Sequence, residues 1–169
     1  MRAAYVIGAP GVGKTTALEL AFPAVAPAER APGPFGLLWL TPIAGGWRLG
    51  RPRARFSGTD ALAMNVHPQA VAWALAAPMP EVVVGEGQRL ATAAFLDALR
   101  SRGTVRLIHL TADPLELERR RAGRGQNETW VRAATTRAAN LAAELGAATI
   151  DTTGLSPDLV AEVLRSLVE

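Results

Sequence analysis

A single lysine narrows what this chain can fold into. Lys14 is the only lysine in the sequence. It lies in the segment Gly8-Ala9-Pro10-Gly11-Val12-Gly13-Lys14-Thr15, a full match to the phosphate-binding pattern G-x-x-x-x-G-K-[ST]. In a chain so poor in lysine, an accidental match has a chance of roughly one in a thousand. The flanks agree with the motif. Ala3-Ala4-Tyr5-Val6-Ile7 is an apolar run of strand length, and Thr16-Ala17-Leu18-Glu19-Leu20-Ala21 opens a helix. In a strand–loop–helix unit, glycines let successive N–H groups converge on an anion, and the helix adds the positive end of its dipole. Gly8 and Gly13 suit backbone conformations that a Cβ penalises. Residues 8–16 are therefore the expected phosphate cradle, with Ala9, Pro10, Gly11, Val12 and Thr16 contributing main chain. Lys14 would reach the terminal phosphates of a nucleoside triphosphate, and Thr15 would ligate Mg²⁺.

The rest of the composition sets limits. A length of 169 residues, half of them apolar, suits one α/β domain spanning 1–169. There is no cysteine, which excludes disulfides and thiolate metal sites, and two histidines argue against a zinc enzyme. No apolar run reaches the length of a membrane span, and the N-terminus reads as a strand, so a soluble, cytoplasmic protein with no membrane partner is expected. The net charge is +3 and every cation but Lys14 is arginine. Arginine suits phosphate because its planar fork bonds bidentately and keeps its charge. A GC-rich coding bias accounts for much of this arginine, so its placement carries more information than its abundance.

Along the chain, apolar runs alternate with helical patterns. Residues 22–36 are dense in proline and read as a loop. Residues 37–40 and 47–49 read as a hairpin joined by a turn at 41–46. Helices are expected over about 68–76, 92–102, 128–145 and 157–168. A further helix is capped by Asp113 with Pro114 at its first position. Strands are expected at 82–84, 105–110 and 148–150. This alternation implies a mostly parallel sheet covered on both faces.

Two further clusters bear on chemistry. Val82-Val83-Val84-Gly85-Glu86 is a buried-strand run ending in a carboxylate. At the C-terminal end of a central strand, Glu86 would face the ligand crevice, where it could orient a metal-bound water or take a proton from an acceptor. Arg119, Arg120, Arg121 and Arg124 follow the next strand, and Arg120 and Arg124, four apart, could share a helix face. Arg132 and Arg137 lie beyond the break at Gly123–Gly125. Fixed cations of this kind stabilise charge on a transferring phosphoryl group. His67 and His109 read as structural, and the four tryptophans as core or interface. A GTPase is disfavoured because Asn-Lys-x-Asp recognition needs a second lysine.

Taken together, these segments resemble the small P-loop kinases, close to the nucleoside monophosphate and thymidylate kinases. The matching parts are the loop at 8–15, an acceptor region at 57–73, the acidic strand end at 82–89 and an arginine lid at about 113–140. The resemblance implies a three-layer P-loop kinase sandwich with about five strands and a helical lid, using ATP and Mg²⁺. It also implies Lys14, Glu86, Arg120 and Arg124 as catalytic residues, Thr15 and Glu86 at the metal, and Asp60 and Arg89 against the acceptor. The chain departs from the thymidylate kinases in two places. Glu86-Gly87-Gln88-Arg89 stands where they carry Asp-Arg and an aromatic, and Leu40-Thr41-Pro42 where they carry Glu-Pro-Gly. The chain also resembles the compact bacteriophage kinases that phosphorylate 5-hydroxymethyl-deoxyuridine in DNA, and the basic stretch Arg48–Arg55 suits a polynucleotide acceptor. A free deoxynucleotide, a sugar or antibiotic, and a P-loop ATPase switch with no acceptor remain alternatives, as does a homodimer.

Overall fold

Residues 3–7 are apolar on both faces, so the strand they form must be covered on both sides. That requirement organises the molecule. In the computed structural model, which describes residues 1–51, 58–123 and 125–168, β1 (Arg2–Gly8) lies between β5 (Val82–Glu86) and β6 (Thr104–Thr111), both parallel to it. β4 (Gly46–Leu49) pairs in parallel with β5, and β7 (Ala148–Asp151) with β6. β3 (Trp39–Ile43) and the two-residue β2 (Glu29–Arg30) add an antiparallel extension. The sheet order is β2-β3-β4-β5-β1-β6-β7.

Helices cover both faces. On one face, α2 (His67–Ala76), α3 (Ala93–Arg100) and α5 (Glu128–Leu145) enclose a core containing Tyr5, Leu49, Trp73, Val83, Phe95 and Leu99. On the other, α1 (Lys14–Ala21) and α6 (Pro157–Ser166) close over Val6, Leu18, Val84, Ile108 and Leu164, joined by Leu117 of α4 (Pro114–Arg121). This is the three-layer α/β architecture expected. Among the described residues no helix is long and apolar enough to cross a membrane.

The sheet has seven strands where about five were expected, and the extension explains the difference. The turn expected over 41–46 contracts to Ala44–Gly45, and β3 runs through Pro42. Proline is tolerated there because β2 reaches only Trp39 and Leu40, so its missing N–H falls on an edge. Its carbonyl accepts a hydrogen bond from Val25 N–H at 2.9 Å. The proline-rich segment likewise contributes β2 and a short 3₁₀ turn at Gly33–Phe35 instead of forming only a loop.

Close approach of β4 and β5 depends on Gly46. A Cβ there would lie 1.8 Å from the carbonyl oxygen of Val82. Gly46→Ala is therefore expected to cost about 3 kcal/mol of stability, by forcing backbone displacement in a packed sheet. Urea unfolding followed by circular dichroism would read this as a lower midpoint, and an unchanged midpoint would show that β4 and β5 can separate without cost.

Candidate active site

β1 ends in a loop whose backbone is set by its glycines. Gly13 has φ 97°, a left-handed conformation that disfavours a side chain, and a Cβ on Gly8 would lie 2.4 Å from the carbonyl oxygen of Leu110. The loop feeds directly into α1. Helices α3, α4, α5 and α6 each begin with a side-chain cap, from Thr92, Asp113, Asn127 and Ser156 respectively. α1, with Gly13 at its N-cap, has no side-chain cap hydrogen bond, as is also true of α2, and the positive end of its dipole lies at the phosphate loop.

Lys14 Nζ donates to the carbonyl oxygens of Gly8 and Ala9, at 3.0 Å each, and so folds back over its own loop. Burial lowers the pKa of its ammonium, while the carboxylates of Glu86 and Asp60 pull the other way. Thr15 Oγ1 donates to Glu86 Oε1 at 2.6 Å, joining the start of α1 to the end of β5. Glu86 is 4 % exposed. A hydroxyl beside a buried carboxylate is a donor set suited to a hard cation. Among the described residues no three acidic, His or Cys side chains gather, so an ion bound here would draw on phosphate oxygens as well. The site fits a Mg²⁺–nucleotide better than a free metal.

Behind the site, Thr59 holds the main chain of Glu86, a residue the sequence reading missed. Thr59, fully buried, donates to the Glu86 carbonyl oxygen at 2.7 Å and shares a 2.8 Å hydrogen bond with the Tyr5 hydroxyl. Burial raises the Tyr5 pKa well above the ordinary phenol value, so it stays neutral. Nothing in the sequence marks Thr59 beyond its place in a polar loop. Its partners lie 54 and 27 residues away.

The remaining expected site residues are placed as follows. Asp60 Oδ1 accepts from the backbone N–H groups of Gln88 and Arg89, at 2.9 and 3.1 Å, and so shapes the loop after β5. The Arg89 guanidinium donates to the Leu62 carbonyl. Both side chains, expected to face an acceptor, are here engaged with the protein's own backbone. Gln88 Nε2 donates to the Ala134 carbonyl at 2.7 Å and ties this loop to α5. Arg120 bonds to Glu116 Oε1, the carbonyl oxygens of Val12 and Thr152, and Thr152 Oγ1. These contacts place it over the start of α1, beside a hollow of about 300 Å³ lined by Gly11, Gly13, Thr16, Glu116, Thr152 and Leu155. Lys14 is not among its partners. The stem of Arg121 covers Gly11, and Arg132 lines the cleft between α4 and α5. Arg124, expected beside Arg120, lies outside the described residues, as does most of the 51–55 basic stretch.

With this geometry in view, the family model for P-loop Nucleotide Kinase3 matches residues 1–159. The chain belongs to this family. Its members are nucleotide kinases built on a P-loop, which accords with a phosphate cradle at 8–16 and kinase-type phosphoryl transfer. Among curated proteins none matches. Among solved structures, an unliganded sugar kinase from Janibacter sp. HTCC2649 is similar at 18% identity and a TM-score of 0.50, over 99% of this chain and 94% of that one. At that identity the likeness speaks for the fold alone.

Glu116 gives the P-loop kinase a pH signature. Hydrogen bonds from Arg119 and Arg120 lower its pKa from 4.5 to about 2. A carboxylate depressed in the folded state contributes stability above its unfolded pKa and loses it as pH falls through the folded one. Wild type is expected to be more stable than Glu116→Gln at neutral pH, with the difference fading between about pH 4.5 and about pH 2. Thermal melts across that range test this, and a gap that is constant with pH would contradict it.

Proposed function

We propose that this kinase uses ATP and Mg²⁺ to phosphorylate the hydroxymethyl group of 5-hydroxymethyluracil in DNA. The observation that carries the ATP and Mg²⁺ part is the Thr15–Glu86 contact beside an uncapped α1. It brings a hydroxyl and a carboxylate to the helix start that carries the one lysine. When bound, the metal offsets negative charge on the phosphate oxygens. The protein supplies position and electrostatics. The backbone of 8–16 grips the phosphates. Lys14 exchanges its two carbonyl partners for phosphate oxygens. Thr15 and Glu86 would hold the metal. The acceptor hydroxyl oxygen forms a bond to the γ-phosphorus, the bond to the β–γ bridging oxygen breaks, and ADP leaves. The hydroxyl proton passes to Glu86 or solvent.

Arg120 binds on the nucleotide side, where its contacts with Val12 and Thr152 fix the wall of the 300 Å³ hollow around the base or ribose. A catalytic role for Arg120 at the γ-phosphate requires it to leave those contacts when the lid closes. Asp60 and Arg89 act on the acceptor through the shape of the 87–89 loop. What supports a DNA acceptor is the arginine-dominated charge, with a pI near 10.5, and the resemblance to the phage base kinases.

The experiment offers [γ-³²P]ATP with DNA containing hydroxymethyluracil, thymine DNA, free deoxynucleotides or buffer. Label is expected on the hydroxymethylated DNA alone, and Lys14→Ala is expected to reduce it by about a hundredfold or more without changing the melting temperature. Label on free deoxynucleotides would replace the acceptor. Label released only as inorganic phosphate would make the protein an ATPase switch.

A further inference from the structure

The antiparallel extension does more than widen the sheet. Because β3 runs opposite to β4, its first residue, Trp39, lies at the same end of the sheet as the phosphate loop. Trp39 pairs with Arg30 across β2, and its carbonyl accepts from Gly50 N–H at 2.7 Å. Two guanidinium groups lie over its indole. Arg30 Cζ is 5.0 Å from the ring centroid and Arg51 Cζ is 4.0 Å from it. Stacking holds a guanidinium parallel to a ring, so its in-plane N–H donors point outward and its rotamer is restrained.

Among the described residues, neither Arg30 nor Arg51 has a carboxylate within salt-bridge distance. Arg30 spends one donor on the Gly36 carbonyl at 2.7 Å. Arg51 Nε is buried with no hydrogen-bond partner, a costly state for a cationic donor. Arg48, one strand position before Leu49, adds a third cation. Its side chain is 10% exposed and its carboxylate neighbour, Glu19, stands at 3.7 Å. Arg48 and Arg51 line the same narrow cleft as Thr15 and Glu86. The room left there is about 10 Å³, close to the least that holds one water, so an anion must sit on the outer, stacked side.

We infer that the Arg30–Trp39–Arg51 stack is the docking point for a backbone phosphate of the DNA strand whose base enters the active site. Arg30 and Arg51, held together with no carboxylate at salt-bridge distance among the described residues, favour a ligand with anions in series, and a phosphodiester strand supplies one per nucleotide. Contact with a strand at this edge leaves the neighbouring nucleotide beside Thr15 and Glu86. The inference rests on the DNA acceptor proposed above, but its test reads binding and does not depend on transfer.

The test is fluorescence anisotropy of a labelled DNA duplex with the full chain and with Arg30→Gln/Arg51→Gln, across a salt series. The double variant is expected to bind about tenfold more weakly at moderate salt. Its slope of log affinity against log salt is expected to be shallower by about two, near one per phosphate contact removed. Trp39→Leu, which keeps both charges but removes their platform, is expected to weaken binding as well. Affinity for a fluorescent ATP analogue is expected to stay unchanged in Arg30→Gln and in Trp39→Leu, since neither residue lies in the phosphate cradle or lines the cleft of Thr15 and Glu86. DNA affinity and slope equal to wild type in the double variant would overturn the inference. So would a loss confined to free nucleoside monophosphates, which would assign the stack to a terminal phosphate. The expected loss of DNA binding in the variants, with no transfer to hydroxymethyluracil by wild type, would support the docking point and remove the proposed acceptor.

Discussion

The hydrogen bond from Thr15 to Glu86 ties together two parts that the chain places 71 residues apart. One is the first turn of the helix after the phosphate loop. The other is the last residue of the strand beside it. Parallel pairing of β1 with β5 brings them to the same end of the sheet, and the register Val6↔Glu86 sets their height. A shift of one residue would turn Glu86 to the opposite face. Much else in the molecule maintains this alignment. Thr59 holds the Glu86 carbonyl, Tyr5 holds Thr59, and Asp60 pins the two residues that follow in the loop.

The site gathers charged groups in a small space. Lys14, part-buried, donates to two carbonyls of its own loop, and the Glu86 carboxylate is nearly inaccessible beside the Thr15 hydroxyl. A ligand that binds the folded chain and not the unfolded one stabilises it, so a triphosphate in this loop is expected to raise the protein's stability. Arg120 joins other segments around the phosphate loop. Glu116 holds its Nε while Val12 and Thr152 take the remaining contacts, which links α4, the phosphate loop and the segment after β7.

Much of this was legible in the sequence because it is local. The loop at 8–15, the Asp113–Pro114 start of α4 and the 128–145 helix depend on neighbouring residues, and the structure places them where the pattern does. Glu86 could be singled out because it ends an apolar run. The reading failed where the deciding contact is distant. Pro42 looked like a turn because the strand edge that tolerates it is visible only in the sheet. Thr59 carries no signal until Tyr5 and Glu86 are brought to it. The acceptor role that the kinase resemblance implies for Asp60 and Arg89 does not reveal their backbone partners, which are set by how the 58–62 and 87–89 segments meet. The Arg30–Trp39–Arg51 stack joins three segments by strand pairing, and only one of its residues belonged to the basic stretch.

The most direct measurement of the central claim is a crystal structure with Mg²⁺ and a non-hydrolysable ATP analogue. The triphosphate should occupy the loop at 8–16, with Lys14 Nζ released from Gly8 and Ala9 and about 3 Å from phosphate oxygens. Thr15 and Glu86 should flank the metal. A triphosphate bound elsewhere, with Lys14 still held by its own loop, would contradict the account.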